Sequence, residues 1–191
     1  MNENFGLIIV DVQFDFLPGG ELAVPDGDSV LHPISLLARE ASLVVASRDW
    51  HPEDHFSFSE YPQYIDQSWP PHCIQGTKGA RVHPSMRKLA NFTVSKGTDT
   101  NVEDYSAFRG RTLRPVQTLQ EILDRSPLDA LVVAGLAFDY CVRYTALDAN
   151  ALGYKTIVPL NATRAVSPEG EKQTLEAFKK AGVIVVPQYT S

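Results

Sequence analysis

The chain has 191 residues, enough for one ample domain, and 43% of them are hydrophobic, which supports a full core and argues against wholesale disorder. A net charge of −6 argues against a nucleic-acid partner, because phosphate contacts need a basic face, and it leaves no polybasic patch for a membrane surface. No apolar run nears the roughly 20 residues that span a bilayer, and Phe5 to Val10 is too short for a signal segment. Two cysteines, Cys73 and Cys141, are too few for a disulfide scaffold. The expectation is a cytoplasmic chain whose cysteines are thiols, with a Cys73–Cys141 bridge as the lesser alternative.

Short apolar runs alternate with helical patterns along the chain. Phe5 to Asp11 is nearly continuous in apolar residues and ends in an acid, and Ser42 to Asp49 repeats that form. Val30, Ile34, Leu37 and Ala38 between them follow helical spacing, with Pro33 in the first turn. From Asp49 to Asn91 neither period is evident, yet this stretch holds four of the five histidines and both tryptophans. A loop of that length in a compact domain is usually functional or disordered, and its aromatics speak for function. Asn91 to Lys96 is a third run, ending in a base, and Val116, Leu119, Ile122 and Leu123 outline a further helix. Asp129 to Gly135, Lys155 to Pro159 and Val183 to Val186 complete six runs. Tyr140 to Leu152 reads as a helix stopping at Gly153, and Ser167 and Pro168 read as the cap and first position of the last one. Strands apolar on both faces, alternating with helices, imply a single-domain α/β fold. The expected architecture is a doubly wound sheet of about six mainly parallel strands with helices on both faces. The domain would span residues 1–191, with a loop excursion at about residues 50–90.

Open α/β sheets bind ligands at the carboxyl ends of their strands. The first run ends in Asp11, the second in Asp49, the third in Lys96, and the fourth leads to Cys141 at the start of a helix. Taken singly, each is readily a capping, solvated or packed residue. Together they deliver two carboxylates, an amine and a thiol to one sheet edge. A helix start and a nearby lysine favour a thiolate, and Asp11 is the natural proton acceptor, so the set points to covalent catalysis by Cys141. Asp49, His51, His55 and His72 form a second group. One carboxylate and three imidazoles suit a borderline divalent ion such as zinc, iron or manganese, with Cys73 as an alternative to His72. His32 and His83 have no evident partner.

These segments resemble the isochorismatase-like cysteine hydrolases. The resemblance rests on Ile9-Val10-Asp11-Val12-Gln13 with Asp15-Phe16, on Lys96-Gly97, and on Gly135-Leu-Ala-Phe-Asp-Tyr-Cys141-Val. It runs from about Phe5 to about Thr163. The set Asp49, His51, His55 and His72, with Ser68-Trp-Pro-Pro-His-Cys73 around it, is similar to the nicotinamidases of that family. The resemblance implies hydrolysis of nicotinamide to nicotinate and ammonia, action on pyrazinamide, and a role in NAD salvage. It implies a triad of Asp11, Lys96 and Cys141, and a cis bond between Leu136 and Ala137 that aims the Ala137 and Cys141 N–H groups at an oxyanion. It implies one metal ion, zinc foremost, on the ring nitrogen, with Phe16, Trp69 and Tyr105 around the ring, and it is compatible with a homo-oligomer. The chain departs from the family pattern at Phe14 and Phe138, and Phe138, beside the oxyanion loop, is expected to narrow the pocket or to shift substrate choice without removing the chemistry. Two alternatives stand beside this reading: an amidase for another small amide, and a non-catalytic member that binds a metal or a partner.

Overall fold

In the computed structural model, which describes residues 4–64 and 68–189, the six apolar runs all become strands of one sheet. They are β1 (Phe5–Val10), β2 (Leu43–Asp49), β3 (Phe92–Lys96), β4 (Ala130–Leu136), β5 (Thr156–Pro159) and β7 (Ile184–Val186). The two-residue strand β6 (Thr163–Arg164) makes a seventh, paired with the end of β4. The order is β3-β2-β1-β4-β5-β7, and every pairing is parallel. β1 and β4 lie at the centre and are buried along their whole length, which is why their sequences show no polar alternation.

Two cores follow from the alternation of side chains along these strands. Leu7 and Ile9 of β1 face one layer, with Ile34 and Leu37 of α1 (Leu31–Glu40) and Met86 of α2 (Pro84–Leu89). Ile8 and Val10 face the other, with Leu119 and Ile122 of α3 (Leu119–Leu123), Ala146 of α4 (Arg143–Ala151) and Phe178 of α5 (Pro168–Ala181). Helices therefore cover both faces. Among the described residues, no helix is long and apolar enough to cross a membrane.

Three local expectations change. Helix α2 lies in the stretch that shows no helical period; with six residues and only Met86 buried, it is too short to display one. Val116 is outside α3 and 67% exposed, because Thr118 and Glu121 form a capping box that starts the helix at Leu119. Cys141 sits in a single π-helical turn, Phe138–Val142, with α4 beginning two residues later. Helix α5 begins as expected: Ser167 accepts from the Gly170 N–H at 3.0 Å, and Pro168 follows it. Removing that cap in Ser167→Ala lowers stability by about 1 kcal/mol, measurable as a shift in the urea unfolding midpoint.

Candidate active site

The connections from β1 and β4 leave in opposite directions, β1 toward β2 and β4 toward β5, so a crevice opens beyond their carboxyl ends. Gly135 keeps the two strands close there. Its φ is +122°, and a Cβ on it would collide with the Val10 carbonyl. The Leu136–Ala137 peptide that follows is cis.

Asp11 follows β1 and is fully buried. The Ser47 hydroxyl donates to its Oδ1 at 2.6 Å, and Lys96 Nζ lies 2.9 Å from its Oδ2. Lys96, the last residue of β3, also pairs with Asp49 Oδ1, donates to the Asp104 carbonyl at 3.1 Å and stands 3.4 Å from Cys141 Sγ. The sulfur and one oxygen each of Asp11 and Asp49 lie within 4.8 Å of one another. Without the ammonium among them, two buried carboxylates at that spacing would repel strongly. Gln13 fixes the end of β2: its amide donates to the Asp49 carbonyl at 2.8 Å and accepts from the Asp49 N–H at 2.7 Å.

Burial acts against charge on each of these groups. It raises the Asp11 pKa, with Lys96 pulling the other way. It opposes the Lys96 charge as well, but the Asp11 and Asp49 carboxylates together outweigh it and hold the lysine well above its ordinary value. It pushes the Cys141 thiol well up, against the pull of Lys96. Burial thus opposes the thiolate that a helix start and a lysine alone would favour at Cys141. Both cysteines are free and buried.

Asp49, His51 and His72 each bring a ligand atom within 4.8 Å of the others. The imidazole nitrogens are sorted by their partners. His51 Nδ1 is 2.9 Å from the Gly97 carbonyl, and His72 Nδ1 is 2.8 Å from the Pro70 carbonyl. A carbonyl only accepts, so both Nδ1 atoms carry the proton and both Nε2 atoms keep a lone pair. Gly97, with φ +61°, leaves room for the His51 ring, which a Cβ there would strike. Burial, then His72 and His55, pushes the His51 pKa down to about 2, and burial also lowers that of His72, so both rings are neutral. His51 Nε2 is buried with no hydrogen-bond partner. An unpaired buried lone pair beside a second imidazole and a carboxylate is a donor set that fits a divalent metal ion.

His55 stands beside this group, its ring centroid 4.3 Å from that of His51, but its nitrogens are otherwise engaged. Nδ1 lies 2.8 Å from Ser57 Oγ, and Nε2 lies 3.1 Å from the Val102 carbonyl. The Val102 contact puts the proton on Nε2, so the lone pair of His55 faces Ser57. Cys73, the alternative to His72, points elsewhere: its sulfur accepts from Gln13 at 3.3 Å. His83 caps α2 and packs on Phe14, which removes both from the site.

A cavity opens on these groups. Phe16, Trp69 and Tyr105 line it, together with Asp49, His72, Ala137 and Cys141. So do Tyr140, Glu103, Leu22, Val24 and Val166, which the sequence reading did not single out. Tyr140 adjoins Cys141 in sequence and was within reach of inspection; Leu22, Val24 and Glu103 lie in irregular segments that carry no periodic signal. Phe138 does not narrow the cavity. It is 1% exposed and packs edge-on against Phe178 of α5, ring centroids 5.6 Å apart, in the core.

A doubly wound sheet that gathers an acid, an amine and a thiol at its switch point, beside a carboxylate–imidazole group, defines the class of α/β proteins with a ligand crevice at the strand ends. Residues 5–188 match the isochorismatase domain, and the chain belongs to that family. A nicotinamidase/pyrazinamidase of Mycobacterium tuberculosis is 42% identical, over 94% of this chain and 97% of the relative. The pyrazinamidase of Pyrococcus horikoshii, solved in complex with zinc, superposes with a TM-score of 0.81 at 36% identity, covering 97% of this chain and 99% of the other. A protein of L. infantum solved in complex with nicotinate gives 0.84 at 32% identity, covering 97% and 93%.

Proposed function

We infer that this chain hydrolyses nicotinamide to nicotinate and ammonia, acts on pyrazinamide as well, and serves pyridine-nucleotide salvage in the cytoplasm. The observation that carries this reading is a cavity lined by Cys141, Asp49 and His72, with Lys96 and Asp11 paired behind the thiol and His51 grouped with Asp49 and His72. The relatives named for these activities, and the neighbour solved with nicotinate, support the same substrate class.

The mechanism follows from the resting protonation states. Cys141 begins as a thiol facing Asp11, whose raised pKa makes it a better base than an exposed carboxylate. Asp11 takes the proton as sulfur attacks the amide carbon, and Lys96 stabilises the charge that develops on sulfur. The N–H groups of Ala137 and Cys141 hold the oxyanion. Asp11 returns its proton to the departing ammonia, leaving a thioester, and then accepts a proton from the water that cleaves it. Phe16, Trp69 and Tyr105 flank the ring and exclude solvent; the Trp69 indole N–H, 3.2 Å from the Tyr105 hydroxyl, joins two of them. Asp49, His51 and His72, with His55, would hold the metal ion, zinc foremost, which would bind the ring nitrogen and orient the carboxamide toward Cys141.

The test is the reaction itself. Purified protein supplied with zinc releases ammonia and nicotinate in equal amounts from nicotinamide, and ammonia from pyrazinamide. No ammonia from either would overturn the reading. His51→Ala is expected to lose bound zinc by elemental analysis, because it removes a buried imidazole nitrogen that has no hydrogen-bond partner. Unchanged zinc content would remove His51 from the ligand set.

A further inference from the structure

The turn that carries Cys141 opens after Ala137 without a side-chain cap. The Ala137 carbonyl accepts from both the Tyr140 and the Val142 N–H, each at 3.1 Å, which closes a single π turn. Ala137 and Cys141 line the cavity, whereas Phe138 and Asp139, between them, do not. Phe138 is held by its contact with Phe178 of α5. Asp139 takes no part in the chemistry above, yet it is a carboxylate with 5% of its surface exposed, two residues from the nucleophile.

That carboxylate bonds outside its own turn, at the start of α5. Its Oδ1 accepts from the Val166 N–H at 2.8 Å, and its Oδ2 accepts from the Ser167 N–H at 3.2 Å. Ser167 is the cap of α5, and its own Oγ is occupied by the Gly170 N–H. The start of this helix is thus held by one residue of its own and by one from the nucleophile turn. Free N–H groups and the helix field both favour a carboxylate there. The fit is close: a Cβ on Gly170 would lie 2.2 Å from Asp139 Oδ2 and 2.9 Å from the Asp139 Cβ. Val166 lines the cavity, so the same carboxylate ties the turn to one wall of the pocket.

We propose that Asp139 is a positioning residue of the reaction: by clamping the π turn onto the start of α5, it sets the direction of Cys141 Sγ and of the Ala137 and Cys141 N–H groups toward the scissile carbonyl. Attack by sulfur and capture of the oxyanion both depend on the geometry of this one turn, and a shift of about 1 Å in such a group costs on the order of 10²-fold in rate. Ring binding draws on other residues, Phe16, Trp69 and His72 among them, so it is independent of the clamp. The inference rests on Cys141 as the nucleophile.

Two substitutions test it from opposite sides of the clamp. Asp139→Asn keeps the shape but turns one acceptor into a donor that meets an N–H. Gly170→Ala leaves Asp139 in place and drives a methyl group against its Oδ2, although alanine is the better helix former. Each zinc-supplied protein is assayed for turnover of nicotinamide and for its affinity for two ligands. Nicotinaldehyde reports on the turn: sulfur bonds to the aldehyde carbon, and the thiol proton ends on the oxygen held by the same N–H groups. Nicotinate binds without a new bond. Both variants are expected to lose turnover on the order of 10²-fold with KM close to wild type. Nicotinaldehyde affinity is expected to fall in parallel and nicotinate affinity to hold. If Asp139→Asn does not fold, Gly170→Ala carries the same expectation. Wild-type turnover in the folded variants would overturn the inference, and so would an equal loss of both ligands or failure of both variants to fold, which would leave Asp139 a purely structural role. A folded Cys141→Ala protein that still releases ammonia would instead overturn the nucleophile reading beneath it.

Discussion

Cys141→Ala abolishes ammonia release from nicotinamide, lowering turnover on the order of 10⁴-fold or more, as expected when the attacking atom of a covalent route is removed. Nothing nearby replaces it. The only other cysteine, Cys73, is fully buried and its sulfur accepts from Gln13. The substitution removes one sulfur from a position that is 5% exposed, so the fold and the zinc content are expected to stay as in the wild type. Ammonia release, zinc content and the unfolding midpoint are measured on the same preparation. Activity persisting in a folded, zinc-loaded Cys141→Ala protein would refute the assignment of the nucleophile.

Lys96→Met has the largest expected effect on stability. The ammonium is 1% exposed and pairs with both Asp11 and Asp49, so its removal leaves two uncompensated carboxylates at close range. Breaking a buried pair in this way costs about 3–5 kcal/mol. The loss depends on pH in a defined direction. Burial already raises the Asp11 pKa, and losing the cation that opposed this raises it further. A carboxyl whose folded pKa lies above its unfolded value contributes no penalty below about pH 4, and destabilises increasingly as pH rises toward the folded pKa. Urea unfolding of the two proteins in the presence of a chelator is therefore expected to diverge from about pH 4 upward, with Lys96→Met the weaker. A gap that narrows with rising pH would contradict the charge assignment.

What the sequence discloses about this site is tied to strand ends. Asp11, Asp49 and Lys96 each close an apolar run, so their placement at one edge follows as soon as the sheet is parallel. Cys141 was legible for the same reason, one turn beyond β4. The upward pull on its thiol was not, because helix position and a lysine indicate one direction while burial, a property of the packed whole, acts in the other. Phe138 shows a similar limit. Nearness in sequence to Cys141 suggested the pocket, but Phe138 is not among the residues that line it and packs on α5. The state of His55 is set by Val102, 47 residues away in a segment with no periodic pattern, and Glu103 stands next to Val102. Such groups become visible only when the loop that carries them is folded against the site.

The covalent step is the centre of this account. Wild-type protein mixed with nicotinamide, quenched in acid within the first turnovers and mapped by peptide mass spectrometry, is expected to carry a nicotinoyl group on the peptide containing Cys141. Rapid ammonia release with that peptide unmodified, or with the acyl group on Cys73, would contradict it.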